Sequence, residues 1–166
     1  MKYCEETTRN HPIAVKYNTF LESLEHLIRR EGYSNPANLF INGEIVLDLD
    51  QTEKFVAEVE GRLPNKSMDF AMGIKNHSAT RRSILLVELR LNYNNPNNLD
   101  RKEIVGKVEG SVNLLSPYIP VYGEYIFIFR TEKIQEAISR LFRMIPKINS
   151  QFIVMDIDTL KKEYFS

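Results

Sequence analysis

The chain has one cysteine, Cys4, no apolar run approaching a membrane span, and no excess of either charge, with 22 Lys and Arg against 22 Asp and Glu. One cysteine excludes an intramolecular disulfide framework and a cysteine-built zinc site, and it predicts a reducing compartment. The longest apolar runs, such as Ile84 to Val87, fall far short of the roughly 20 residues of a spanning helix. The first ten residues carry no apolar core of a signal peptide, so the expectation is a cytoplasmic protein with no membrane partner. Zero net charge excludes gripping duplex nucleic acid over the whole surface, which requires a strong basic excess, but leaves room for a local basic groove. Gly and Pro are few, 7 of each, and no repeat, linker or low-complexity tract interrupts the chain, which excludes disordered and fibrous classes. There is no Gly-rich phosphate loop and no GxSxG elbow, and His11, His26 and His77 lack metal-ligand spacing.

What is present is an ordinary globular composition: 166 residues, 43% apolar and 27% charged. A chain of this length buries roughly 70% of its unfolded surface, so residues 1–166 are expected to form one domain. Pro12 suits a first helical position, and Tyr17, Phe20, Leu21, Leu24, Leu27 and Ile28 follow at helical spacing up to Gly32. This predicts one amphipathic helix with Glu22, Glu25, His26, Arg29 and Arg30 on its other face. Asn38 to Asp50 reads as a β-hairpin about Asn42–Gly43, and Thr52 to Leu63 fits either a short helix or a strand. Met68 to Ile74 and Ser83 to Leu91 read as strands joined by the basic loop Lys75 to Arg82. Asp100 and Glu103 have capping-box spacing and open a helix to Leu115, where Gly106 and Gly110 permit close approach to a sheet. Tyr125 to Phe129 reads as a strand. Thr131 is expected to cap a helix with Ile134, Ala137, Ile138, Leu141, Phe142 and Ile145 inward, and Gln151 to Ile157 forms the last strand. The order predicts an α/β fold, a single domain with a mixed central β-sheet flanked by helices.

The chemistry-bearing residues fall on the two middle strands. Period-2 alternation sends Leu85, Val87, Leu89 and Leu91 to one face and Ile84, Leu86, Glu88 and Arg90 to the other. In the preceding strand Met68, Phe70, Met72 and Ile74 oppose Asp69, Ala71 and Gly73. If the two strands pair as a hairpin, Asp69 faces the same way as Glu88. Two carboxylates at neighbouring strand ends are the hard oxygen ligands that Mg²⁺ uses beside water and a substrate phosphate. The same spacing also suits an ion pair between Glu88 and Arg90 at a sheet edge, and a solvated helix face for Glu22 and Glu25. Phe127, Phe129 and Phe142 fit core positions.

At Met68-Asp69 and Glu88-Leu89-Arg90 the chain resembles the PD-(D/E)xK nuclease superfamily, whose core runs helix, strands, helix, strand with Asp on one strand and Glu-x-Lys on the next. The resemblance spans roughly residues 13 to 130 in element order and implies a restriction-endonuclease-like core. It implies Asp69, Glu88 and Arg90 as catalytic residues, and Mg²⁺ held by Asp69 and Glu88 with an acid of the first helix, Glu22 or Glu25. The helix Asp100 to Leu115 matches the crossover helix, with Lys107 where members often carry a basic or amide group. Arg90 departs from the pattern: it stands at the Lys position, keeps its charge at any accessible pH and offers a donor fork rather than a proton. Two functions follow. One is metal-dependent phosphodiester hydrolysis of nucleic acid, with Lys75, Arg81 and Arg82 flanking the phosphate path; the other is a non-catalytic module on the same scaffold that binds a protein partner, as an inhibitor or immunity protein would.

Overall fold

The computed structural model describes residues 1–33, 39–40, 42–78 and 80–166. Its first segment is anchored rather than frayed. Lys2–Tyr3 (β1) pairs antiparallel with Lys75 and Ile74, and the Cys4 N–H donates to the Gly73 carbonyl at 2.8 Å. Glu5–Arg9 (α1) then lies on Gly73, where a Cβ would stand 2.5 Å from Thr7 Cβ, so the position has no room for a side chain.

The single helix expected from Pro12 to Gly32 is instead four pieces: Pro12–Lys16 (α2), a 3-10 turn Asn18–Phe20, the strand Leu21–Ser23 (β2) and Leu24–Arg30 (α3). His11 Nδ1 accepts the Ile13 N–H and Ser23 Oγ accepts the His26 N–H, so each helix has its own cap. β2 pairs antiparallel with Ile45–Asp48 (β3) through Leu21↔Leu47, Glu22↔Val46 and Ser23↔Ile45. Ladder bonds to a distant segment thus override a helical spacing that is purely local. β3 is the second arm of the hairpin expected at Asn38 to Asp50, but its partners are β2 and a later strand. Gly43 does adopt the left-handed φ of 68° that its turn signal called for; Asn38 and Ile41 lie outside the described residues. Asp48 accepts the Gln51 N–H and so caps Leu49–Glu60 (α4), which turns Leu49 and Asp50 helical and resolves the segment after them as a helix ended by Gly61 at φ 65°.

Phe70–Lys75 (β4) and Arg82–Leu89 (β5) form the expected antiparallel hairpin, in register from Phe70↔Val87 to Lys75↔Arg82. The alternation sorts the core into two layers. Phe70, Met72, Ile74, Leu85, Val87 and Leu89 pack with Leu24, Leu27 and Ile28 of α3. Ala71, Ile84 and Leu86 face the opposite layer. Met68 departs from the expectation and joins that second layer, where its N–H donates to Ser111 Oγ at 2.8 Å. Arg101–Leu115 (α5) covers this layer with Ile104, Val108 and Leu115, and Asp100 caps it by accepting the Glu103 N–H. Gly110 is where the close approach occurs, but toward the segment entering β4: a Cβ there would fall 1.9 Å from the Lys66 carbonyl oxygen, whereas at Gly106 the nearest atom is 3.7 Å away.

Val121–Ile128 (β6) and Phe152–Met155 (β7) extend the sheet parallel to β5, linked by a 3-10 turn Thr131–Lys133 and Ile134–Phe142 (α6). Thr131 does not cap α6; its hydroxyl donates to Asp156 Oδ2 at 2.9 Å. Ala137 and Leu141 are buried as expected, while Ile138, Phe142 and Ile145 turn outward. The last strand stops at Met155, and Ile157–Leu160 (α7) with a π-helical turn Lys161–Phe165 closes the chain onto the first core layer. The sheet order is β2-β3-β4-β5-β6-β7 with β1 beside β4, a single mixed α/β domain with helices on both faces. Among the described residues no helix is long and apolar enough to cross a membrane.

Candidate functional site

The β4–β5 ladder ends in a side chain. Just before Phe70, Asp69 Oδ2 accepts the Leu89 N–H at 2.6 Å, which sets its carboxylate against the end of β5 beside Glu88. Glu88 follows Leu86 by two residues and so points to the same layer, toward α5. On that helix Lys107 lies three residues after Ile104 and four before Ser111, both buried, so the helical period brings its stem onto the sheet. Lys107 Nζ sits 2.8 Å from Glu88 Oε1, 3.0 Å from Oε2 and 4.0 Å from Asp69 Oδ1. One ammonium therefore bridges both carboxylates, which lie within the sum of those distances of each other.

Arg90 completes the cluster. Its Nε is 2.9 Å from Glu88 Oε1, an ion-pair distance without hydrogen-bond alignment, while Nη2 donates to Glu103 Oε1 at 2.6 Å. The Tyr93 ring lies 5.1 Å from the guanidinium carbon. Glu88 is only 2% exposed, and Asp69, Arg90 and Lys107 are half-buried. Burial, reinforced by the Glu88 charge, pushes the Asp69 carboxyl up to about 8, against the opposing pull of Lys107 and the Leu89 N–H. Burial also raises Glu88, with Lys107 and Arg90 opposing it. The hydrogen bond from Arg90 holds Glu103 below the usual carboxylate range.

Of the residues singled out in the sequence, the fold brings Asp69, Glu88 and Arg90 together. Glu22 is not with them. It lies on β2, two strands from β4 and so about 10 Å aside, with its oxygens 3.0 Å from Arg30 Nη1 and 3.1 Å from His26 Nδ1. Glu25 pairs with Arg29 at 2.7 Å on the outer side of α3. The acid of that segment whose charge does bear on Asp69 is Glu31, at the C-terminal cap of α3. The Glu31 carbonyl accepts a hydrogen bond from Asn92 Nδ2 at 2.9 Å, just beyond Arg90. The basic loop after Lys75 does not flank the site, since it closes the opposite end of the hairpin, about 20 Å away. Arg82 is committed there to Glu6, at 3.1 and 3.2 Å.

Among the described residues no three His, Cys, Asp or Glu side chains gather as a group that could hold a metal ion; Asp69 and Glu88 are the two carboxylates that come together, and Lys107 lies between them. No family model, curated protein or solved structure matches the chain.

Proposed function

We propose that the face bearing Asp69, Glu88, Arg90 and Lys107 is the active site of a Mg²⁺-dependent phosphodiesterase acting on nucleic acid, of the PD-(D/E)xK type. The observation that carries this reading is Lys107, whose ammonium spans both carboxylates. Arg90 cannot exchange a proton, so the ammonium that the Glu-x-Lys pattern calls for comes from the crossover helix instead. The order of elements supports the reading with one insertion: helix α3, strand β3, helix α4, the antiparallel strands β4 and β5, helix α5, then β6 parallel to β5, so α4 stands between strands where the helix, strands, helix, strand pattern has none.

Asp69 and Glu88 would hold the ion. Bound Mg²⁺ supplies charge stabilisation to the phosphoryl group and a more acidic water. Lys107, on a flexible stem, then leaves Glu88 to orient the attacking water, while Arg90, braced by Glu103, presents its remaining donors to a phosphate oxygen. The test is cleavage of single- and double-stranded DNA and RNA with Mg²⁺ or Mn²⁺. Cleavage that Glu88→Gln abolishes without loss of fold supports the reading; no cleavage of any substrate with either metal overturns it.

One observation favours the second reading, a non-catalytic module that binds a protein: both Glu88 oxygens already face cations, at 2.8, 2.9 and 3.0 Å. On that reading the cluster is a buried network and calorimetric titration with Mg²⁺ or Mn²⁺ releases no binding heat. Tight binding of either metal would exclude it.

A further inference from the structure

We infer that the open edge of β7, together with the outer face of α6, is the interface of a two-fold dimer of this chain; the inference does not rest on the proposed reaction. The two ends of the sheet are built differently. The β2 end is three residues long and carries Glu22, a charge held by Arg30. The β7 end, Phe152–Met155, has no charge, no proline and no bulge, which are the devices that keep edges from pairing. In its parallel ladder with β6, Gln151 and Met155 carbonyls accept the Tyr125 and Phe129 N–H groups, so the backbone groups of Phe152 and Val154 face away from the sheet; the Phe152 N–H is taken up by the Asn149 carbonyl at 3.4 Å, which leaves the Val154 N–H as the outward donor of the strand.

The helix beside this edge exposes apolar surface in the same place. Ile138 is 42% exposed, Phe142 78% and Ile145 92%, together roughly 400 Å². Ile138 and Phe142 are themselves two walls of a cleft of about 330 Å³ that Leu141, Ile148, Phe152 and Val154 line further. Knob and cleft on one patch make the surface complementary to itself, which is the requirement of a two-fold interface. Antiparallel pairing of two β7 strands sets both α6 helices antiparallel on one face of a joined sheet, with Phe142 of each copy against the cleft of the other. The charges agree in balance: the start of the helix carries Glu132 and Glu136 with Lys133 paired to Glu136 at 3.1 Å, a net single negative charge, while Arg140, Arg143 and Lys147 stand at or after its end, so opposite signs meet across the axis. The apolar patch supplies about half of the ~800 Å² per partner that a stable interface buries, and the paired edge and charged rim supply the rest.

Sedimentation velocity on the full chain at roughly 100 μM, far above the Kd expected for an interface of this size, is expected to show a dimer. Phe142→Glu and Ile145→Lys each alter an exposed side chain and are expected to give monomers with an unchanged far-UV circular dichroism spectrum. In the wild-type dimer the Val154 amide exchanges at least tenfold more slowly than in Phe142→Glu. A monomeric wild type overturns the inference. So does a dimer that both substitutions leave intact, or one whose Val154 amide exchanges as fast as in the monomer.

Discussion

Replacing Lys107 with methionine keeps the stem that packs beside Ile104 and removes the ammonium between Glu88 and Asp69. Glu88, at 2% exposure, then has only the imperfectly aligned Arg90 Nε within reach. Breaking a buried pair from one side costs about 3–5 kcal/mol, and because Arg90 remains, the lower end of about 3 kcal/mol applies. For a chain of this size that is a fall in Tm of roughly 6–12 °C. The loss also has a pH signature. Glu88 already has a raised folded pKa, and losing Lys107 raises it further, so the folded variant holds a proton that the unfolded chain has released. Its deficit is therefore smallest in acid and grows as pH rises through the folded Glu88 range. Urea denaturation of wild type and Lys107→Met at about pH 5 and about pH 8 reads both effects. Adding Glu88→Gln should restore much of the loss, because the uncompensated charge goes with it. A cost under about 1 kcal/mol, or one equal at the two pH values, would refute the claim that Lys107 neutralises a buried carboxylate.

Two other consequences follow from the same geometry. Asp69, whose folded pKa is pushed to about 8 from an ordinary 3.8, contributes stability that is fully present below the unfolded value and lost as pH rises through the folded one; Asp69→Asn, which can still accept the Leu89 N–H, should flatten that decline in denaturation midpoints between about pH 4 and about pH 8. The two glycines of α5 should answer alanine in opposite directions: Gly110→Ala places a Cβ 1.9 Å from the Lys66 carbonyl oxygen and is expected to cost about 3 kcal/mol, while Gly106→Ala, whose Cβ would meet only the Lys66 stem in ordinary contact at 3.7 Å, gains up to about 1 kcal/mol of helix propensity, both read by thermal melts.

The middle of the molecule was legible because its signals are local and redundant. In β4 and β5 a period of two places each apolar residue in one of two core layers, and the same alternation aims Asp69 and Glu88 together without knowledge of any other element. Asp100 caps α5 as its sequence requires. Where the reading failed, partners distant in the chain decided the outcome. Leu21 fits a helical stripe from Tyr17 to Ile28, and only the ladder to Leu47 makes it a strand. Phe142 and Ile145 fit the apolar spacing of α6, but spacing does not say how wide a face the sheet can cover. The same holds for Glu22, which the resemblance pairs with Asp69 but which the sheet order sets apart from it by β3. Lys107 matched by position in the sequence alone; its bridging role came from how far α5 rotates as Ile104 and Leu115 seat on the sheet.

The hydrogen bond from the Leu89 amide to Asp69 Oδ2 gives the site a built-in reporter. A carboxylate oxygen occupies a place where a strand backbone would ordinarily offer a carbonyl, so the last rung of the hairpin is made by the group proposed to act on substrate. Whatever draws that oxygen away, whether a cation or a phosphate-bound water, loosens the end of β5 at the same moment. Occupancy at Asp69 and fraying at Leu89 are one equilibrium seen from two sides, and the exchange rate of a single backbone amide reads both.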